Sequence, residues 1–257
     1  MFWYKSWLDT RWRFLAAFVV LTCSAVLTVL AYPKVVMLLP LVPLEASIQG
    51  GEIGRRIREI AELERTYRGY IWVQAFRQTL TQLGVLFAVL LGTGGLLPSG
   101  SKDTALFTMS LPASRHELLG ARVATGLGQL AVLAFAPALV FPLLSPAVGE
   151  TFTLGSALVH GACLFVTWTV FFSLALLLST VVSGVWVPAL IALCAALLLA
   201  AVDQFAGGLS RFSIFAIMSG ETYFRTGALP WAGLLASGAA AAGMLSAGSW
   251  NFARQDF

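Results

Sequence analysis

Charge is what this chain has least of. Its 257 residues include 16 Lys and Arg and 12 Asp and Glu, 11% in all, while 58% are hydrophobic. A water-soluble domain carries about 25% charged residues. Less than half of that cannot clothe a globule in a polar shell, so a soluble fold is excluded. The composition, with a mean hydropathy of +0.85, is that of an integral membrane protein. The apolar runs do not alternate with polar residues, which excludes a lipid-facing β-barrel and leaves helices as the spanning elements.

Other absences narrow function. There are three cysteines, Cys23, Cys163 and Cys194, all inside apolar runs and none at ligand spacing. They read as packing residues, not as a disulfide framework or a metal site. No Gly-Lys pair occurs, so there is no phosphate loop. His116-Glu117-Leu118-Leu119-Gly120 starts like a zinc motif but lacks the second histidine. No Gly-x-Ser-x-Gly elbow is present. We expect no catalytic residue and no metal or other cofactor bound by this chain. The net charge of +4 suits anionic headgroups around the spans and does not require nucleic acid.

What is present is apolar length. Six segments reach the roughly 20 residues that cross a bilayer: 14–32, 80–97, 123–144, 154–180, 185–202 and 229–247. The expected fold is all-α and polytopic, a single transmembrane domain over 1–257. The fourth and fifth spans should form a tight hairpin through 181–184. Two additions flank the first span. Residues 1–13 interleave Trp3, Trp7 and Trp12 with Lys5, Arg11 and Arg13, which predicts an interfacial helix lying flat in the headgroup layer before the chain turns at the span. Pro33-Lys34 should end the first helix. Residues 52–77 carry Ile at helical spacing and opposite charges four apart (Glu52/Arg56, Arg55/Glu59, Arg58/Glu62, Glu64/Arg68), which predicts an exposed amphipathic helix. Residues 204–228 are too apolar for a free loop and too interrupted for a span; they predict short outer interfacial or re-entrant helices.

No Asp, Glu, Lys or Arg falls near the middle of these six segments. Proton- and ion-coupled carriers place ionisable groups there, so a secondary carrier is disfavoured. Gln129, Thr167, Thr169 and Ser173 are the strongest polar candidates for a substrate path, with helix hydrogen bonding as the alternative use of the same groups. His160 reads as an interfacial residue. Small residues four apart, Ala232, Ala236, Ala240 and Ala239, Gly243, Ala247, let a helix backbone approach a neighbour closely.

The polar break at 99–117 is the remaining feature. Ser114 and Glu117 form a capping box that starts the third span. Pro112 enforces a stop before it. Asp103 can cap a short helix over 104–111. A helix, a turn and a second helix present a compact lever to a partner.

In these residues the chain resembles the permease subunits of type 2 ATP-binding-cassette exporters. The resemblance is carried by Thr104-Ala-Leu-Phe-Thr-Met-Ser-Leu-Pro112-Ala-Ser-Arg115, by Leu118-Leu119-Gly120-Ala-Arg122, by the opening aromatic and basic segment and by Arg254-Gln255-Asp256-Phe257. It implies a non-enzymatic permease in the cell (inner or plasma) membrane with both termini cytoplasmic. It implies two ATPase subunits as partners, which hold the ATP and Mg, and a second permease copy, identical or not. It implies a cytoplasmic coupling helix in which Lys102, Asp103, Thr104, Leu106, Phe107, Pro112 and Arg115 contact the ATPase or shape the lever. The same loop would also serve a non-transporting membrane anchor or regulatory subunit of another complex. By positive-inside counting, Lys102, Arg115, Arg122 and the N-terminal bases agree with inner termini. The arginines of 55–77 oppose that count. An uncharged, aromatic-rich interior suits a lipid-like or amphipathic cargo better than a small ion.

Overall fold

The computed structural model describes residues 2–38, 59–93, 115–182, 184, 186–205 and 213–254. Among them the regular structure is helical, without a strand. We label the elements α1 (Phe2–Leu38), α2 (59–64), α3 (Tyr67–Gly92), α4 (Arg115–Leu144), α5 (Leu154–Val181), α6 (Trp186–Phe205), α7 (Ile214–Ser219), α8 (Glu221–Thr226) and α9 (Trp231–Arg254). Six of these, α1, α3, α4, α5, α6 and α9, are long and apolar enough to cross a membrane.

α5 is the hub. It packs against α3, α4, α9 and, more lightly, α6 and α7. Helices gain nothing by hiding apolar surface from lipid, so close steric fit must hold them together. The sequence supplies that fit with glycines opposite aromatic rings. Gly84 of α3 lies against the Trp168 indole of α5, and Gly126 of α4 against the Phe172 ring; a Cβ at either would collide. Trp168 and Phe172 are fully buried at these contacts. α1, α6 and α9 are peripheral and leave most of their apolar surface exposed.

Three expectations change. First, α1 runs unbroken from Phe2 to Leu38, through Pro33. Residues 1–13 therefore do not form a separate helix turned flat at Arg13. At about 1.5 Å per residue the helix is roughly 55 Å long, well beyond a hydrocarbon core of about 30 Å. At the expected turn the side chains of Arg13 and Thr10 are tied to α3 and α4, which favours a straight continuation there.

Second, 52–77 is not one exposed amphipathic helix. Residues 52–58 lie outside the described residues, α2 stops at a turn over Arg65 and Thr66, and Tyr67–Gly92 continues as a span. Thr66 caps it, its hydroxyl accepting from Gly69 N at 3.2 Å. Tyr67, Tyr70, Ile71, Trp72 and Phe76 are buried. The break at the turn also separates Glu64 from Arg68: Glu64 accepts from Gln74 Nε2 at 2.7 Å. The second span thus starts well before Leu80, and Arg77 lies inside it.

Third, Trp72–Thr79 is a π-helix. The wider turn carries carbonyls past their usual partners. The Thr79 and Thr81 hydroxyls, five residues on, donate to the carbonyls of Gln74 (2.8 Å) and Phe76 (2.6 Å).

Within 204–228 the described part is the end of α6 and two short helices, α7 and α8, hinged at Gly220 with φ +66°. α7 packs on the π-helical start of α3 and on α5, and α8 reaches Trp72 and His160 through Phe224 and Tyr223.

Candidate functional site

The last turn of a helix leaves carbonyls without intrahelical donors and carries negative partial charge. At the end of α3 those carbonyls are met by cations from two other spans. Arg13 Nη1 of α1 donates to the carbonyls of Leu90 at 2.9 Å and Thr93 at 2.7 Å. Arg122 Nη2 of α4, itself buried, reaches the same Thr93 oxygen at 3.4 Å. Thr93 is fully buried. Beside this clasp, Gln129 Nε2 of α4 donates at 2.8 Å to the Thr10 hydroxyl, which donates to the Ser6 carbonyl. The three helices α1, α3 and α4 are thereby joined where the chain leaves Thr93 for the polar segment and returns as α4.

Of the proposed coupling residues, Lys102, Asp103, Thr104, Leu106, Phe107 and Pro112 lie outside the described residues, as does the cap residue Ser114. α4 begins at Arg115, with Glu117 exposed in its first turn. The clasp residues Arg13, Thr93 and Thr10 did not stand out in the sequence as site residues. The one signal was Arg13 itself, the last charge before the first apolar run.

The four polar candidates for a substrate path divide. Gln129 belongs to the clasp. Thr167, Thr169 and Ser173 donate to carbonyls of their own helix: Cys163 (2.7 Å) and Leu164 (3.1 Å), Phe165 (2.8 Å) and Thr169 (2.7 Å).

The opposite end of the bundle is closed by aromatic packing. Trp72 stacks on Phe224 of α8, centroids 4.5 Å apart and planes at 9°, and its Nε1 donates to the Ser219 carbonyl at 2.9 Å. His160 is not interfacial: it is 1% exposed, stacked on Phe76 at 4.4 Å, with Tyr223 edge-on at 5.6 Å. Gly220 comes so near that a Cβ there would lie 2.5 Å from His160 Nδ1. Tyr32 and Tyr67 meet edge to face at 4.8 Å. The Ser145 hydroxyl donates to the Phe141 carbonyl, so Tyr67 is the donor in the 2.7 Å bond between them. Outside this plug, Arg225 bonds Glu59 and Glu221, each at 2.8 Å, tying α8 to α2. A cavity of about 370 Å³ opens between α7, α8 and the start of α9, lined by Ile217, Thr222, Pro230 and Trp231 among others, with no titratable side chain in its wall.

Among the described residues no group of three His, Cys, Asp or Glu side chains stands close enough to hold a metal ion. Cys23, Cys163 and Cys194 are free thiols. No protein family, curated protein or solved structure matches the chain.

Proposed function

We propose that this chain is the permease subunit of an ATP-driven exporter in the cell membrane, with cytoplasmic termini, working as a pair of permease copies over two separate ATPase subunits. ATP and Mg belong to those partners, and the permease performs no chemistry of its own. The supporting observation is the clasp at Thr93. A partner that pushes on 94–114 pushes on the end of α3, and Arg13 and Arg122 carry that displacement into α1 and α4 together. A passive inter-span turn needs no such junction. Coupling contacts fall to Lys102, Asp103, Thr104, Leu106, Phe107, Pro112 and Arg115. The small-residue stripe of α9 (Ala232, Ala236, Ala240 and Ala239, Gly243, Ala247) is exposed on the chain, which suits a helix face that meets a second copy. The plug around Trp72 and His160 then closes the outer end in this state.

The test is ATP hydrolysis by the reconstituted complex with Arg13→Gln. The reading expects hydrolysis to persist while its response to transported lipid or drug is lost. Unchanged stimulation contradicts it.

A further inference from the structure

Among the described residues neither Arg68 nor Arg77 forms an ion pair. Both are exposed on α3. Three described carboxylates of this end are engaged elsewhere: Glu64 with Gln74, and Glu59 and Glu221 with Arg225. Each guanidinium lies instead over a ring, Arg77 at 5.5 Å from Trp72 and Arg68 at 5.5 Å from Phe224. Those two rings are stacked on each other, and the indole N–H is fixed to Ser219. The result is one ladder, cation, ring, ring, cation, on a rigid support.

A guanidinium laid against an aromatic face keeps its edge N–H groups free, in the fork that matches phosphate oxygens. Depth selects which phosphate. Arg77 sits well inside the span Tyr67–Gly92, with about 20 Å of helix between it and Gly92. Against a hydrocarbon core of about 30 Å, its head, drawn back towards Trp72, comes to the boundary of acyl chains and headgroups. A cation at that level is drawn to anionic headgroups by about 1 kcal/mol. The anion resident at that level is a lipid phosphate.

We propose that Arg77, backed by the Trp72–Phe224 stack, binds the phosphodiester of an anionic phospholipid, and that Arg68, nearer the end of the span, faces the outer part of the same leaflet's headgroup layer. The site also accounts for arginines persisting in the segment after α1 against the positive-inside count. It does not depend on the permease reading: it holds for either orientation and needs no ATPase.

The experiment is native mass spectrometry of the detergent-purified full chain, titrated with phosphatidylglycerol, with phosphatidylcholine, and with phosphatidylglycerol plus excess inorganic phosphate. Wild type should retain phosphatidylglycerol over phosphatidylcholine. Arg77→Gln should lose that preference by about tenfold in affinity, as expected for one charge-assisted fork. Arg77→Lys, which keeps the charge without the fork, should fall between them. Melting in phosphatidylcholine micelles reports folding; if Arg77→Gln fails it, the Arg77→Lys result decides. Retention of wild-type preference in either folded variant overturns the proposal. Displacement of the lipid by inorganic phosphate overturns it in favour of a soluble-anion site.

Discussion

The Nη1 of Arg13 donates to the Thr93 carbonyl across 2.7 Å, bonding the first span to the last turn of the second. The contact is charge-assisted, buried at its acceptor, and placed where the polar segment begins. Hydrogen bonds to charged groups contribute about 1.5–3 kcal/mol, whereas interhelical polar contacts in membranes average nearer 0.6 kcal/mol. Arg13 makes two of them. We expect Arg13→Ala to destabilise the fold by about 2 kcal/mol, read as a melting temperature several degrees lower in detergent. Arg13→Lys should recover part of the loss. Equal melting for wild type and Arg13→Ala would remove the clasp from the account.

Glycine positions give a sharper contrast. Gly84 faces the Trp168 indole with no room for a side chain, while Gly243 on α9 has nothing within 4 Å of where a Cβ would stand. Gly84→Leu should abolish assembly of α3 on α5 or cost more than about 3 kcal/mol, the upper range for overpacking. Gly243→Leu should leave the melting of the isolated chain within about 0.5 kcal/mol of wild type, and should weaken self-association if two copies meet along that face. Melting curves with size-exclusion profiles check both halves.

The plug can be loosened without removing its ring stack. Trp72→Phe keeps an aromatic face for Phe224 but deletes the donor to Ser219. Loss of one neutral hydrogen bond costs about 1 kcal/mol. Amide exchange in 213–226 should accelerate by about fivefold, with exchange in α4 unchanged. Uniform acceleration across the chain would mean that the plug is not a local unit.

The ion pair outside the plug should matter little. The hydrogen bond that Arg225 donates to Glu59 raises the guanidinium pKa above its ordinary value. A raised cation contributes stability that is complete below its unfolded pKa and is lost only as pH rises through its folded value, here far on the alkaline side. Both side chains are about half exposed, at 47% and 51%, so solvent screening limits the pair to roughly 0–1 kcal/mol. Glu59→Gln should shift melting by no more than that, and the wild-type and variant curves should run parallel between about pH 6 and pH 9.

Much of this fold was legible in the chain itself. Apolar runs of span length located α4, α5, α6 and α9 to within a few turns, because lipid imposes one length on every helix that crosses it. The start of α3 was not legible. Arg68, Gln74, Arg77 and Gln78 make 67–79 look like water-exposed helix, and only packing shows Tyr67, Tyr70, Trp72 and Phe76 buried on its other side. The unbroken α1 was hidden for a related reason: the Trp and Arg interleaving of 1–13 signals a boundary locally, while the tertiary bonds at Thr10 and Arg13 come from residues distant in the chain. His160 reads as an interfacial residue until Phe76, Tyr223 and Gly220 are brought around it. Beyond Thr93 the sequence marked the polar break at 99–117 and the start of α4 near Arg115. It could not reveal that a carbonyl at Thr93 is the junction, since backbone acceptors leave no trace in residue type.

The most direct measurement of the central claim is site-specific photo-crosslinking in native membranes, with the photoreactive residue replacing Phe107. If the polar segment is a coupling lever, the adduct contains a phosphate-loop ATPase, and ATP with vanadate changes its yield. If position 107 crosslinks only to lipid, to this chain or to a protein without a phosphate loop, the permease reading is contradicted.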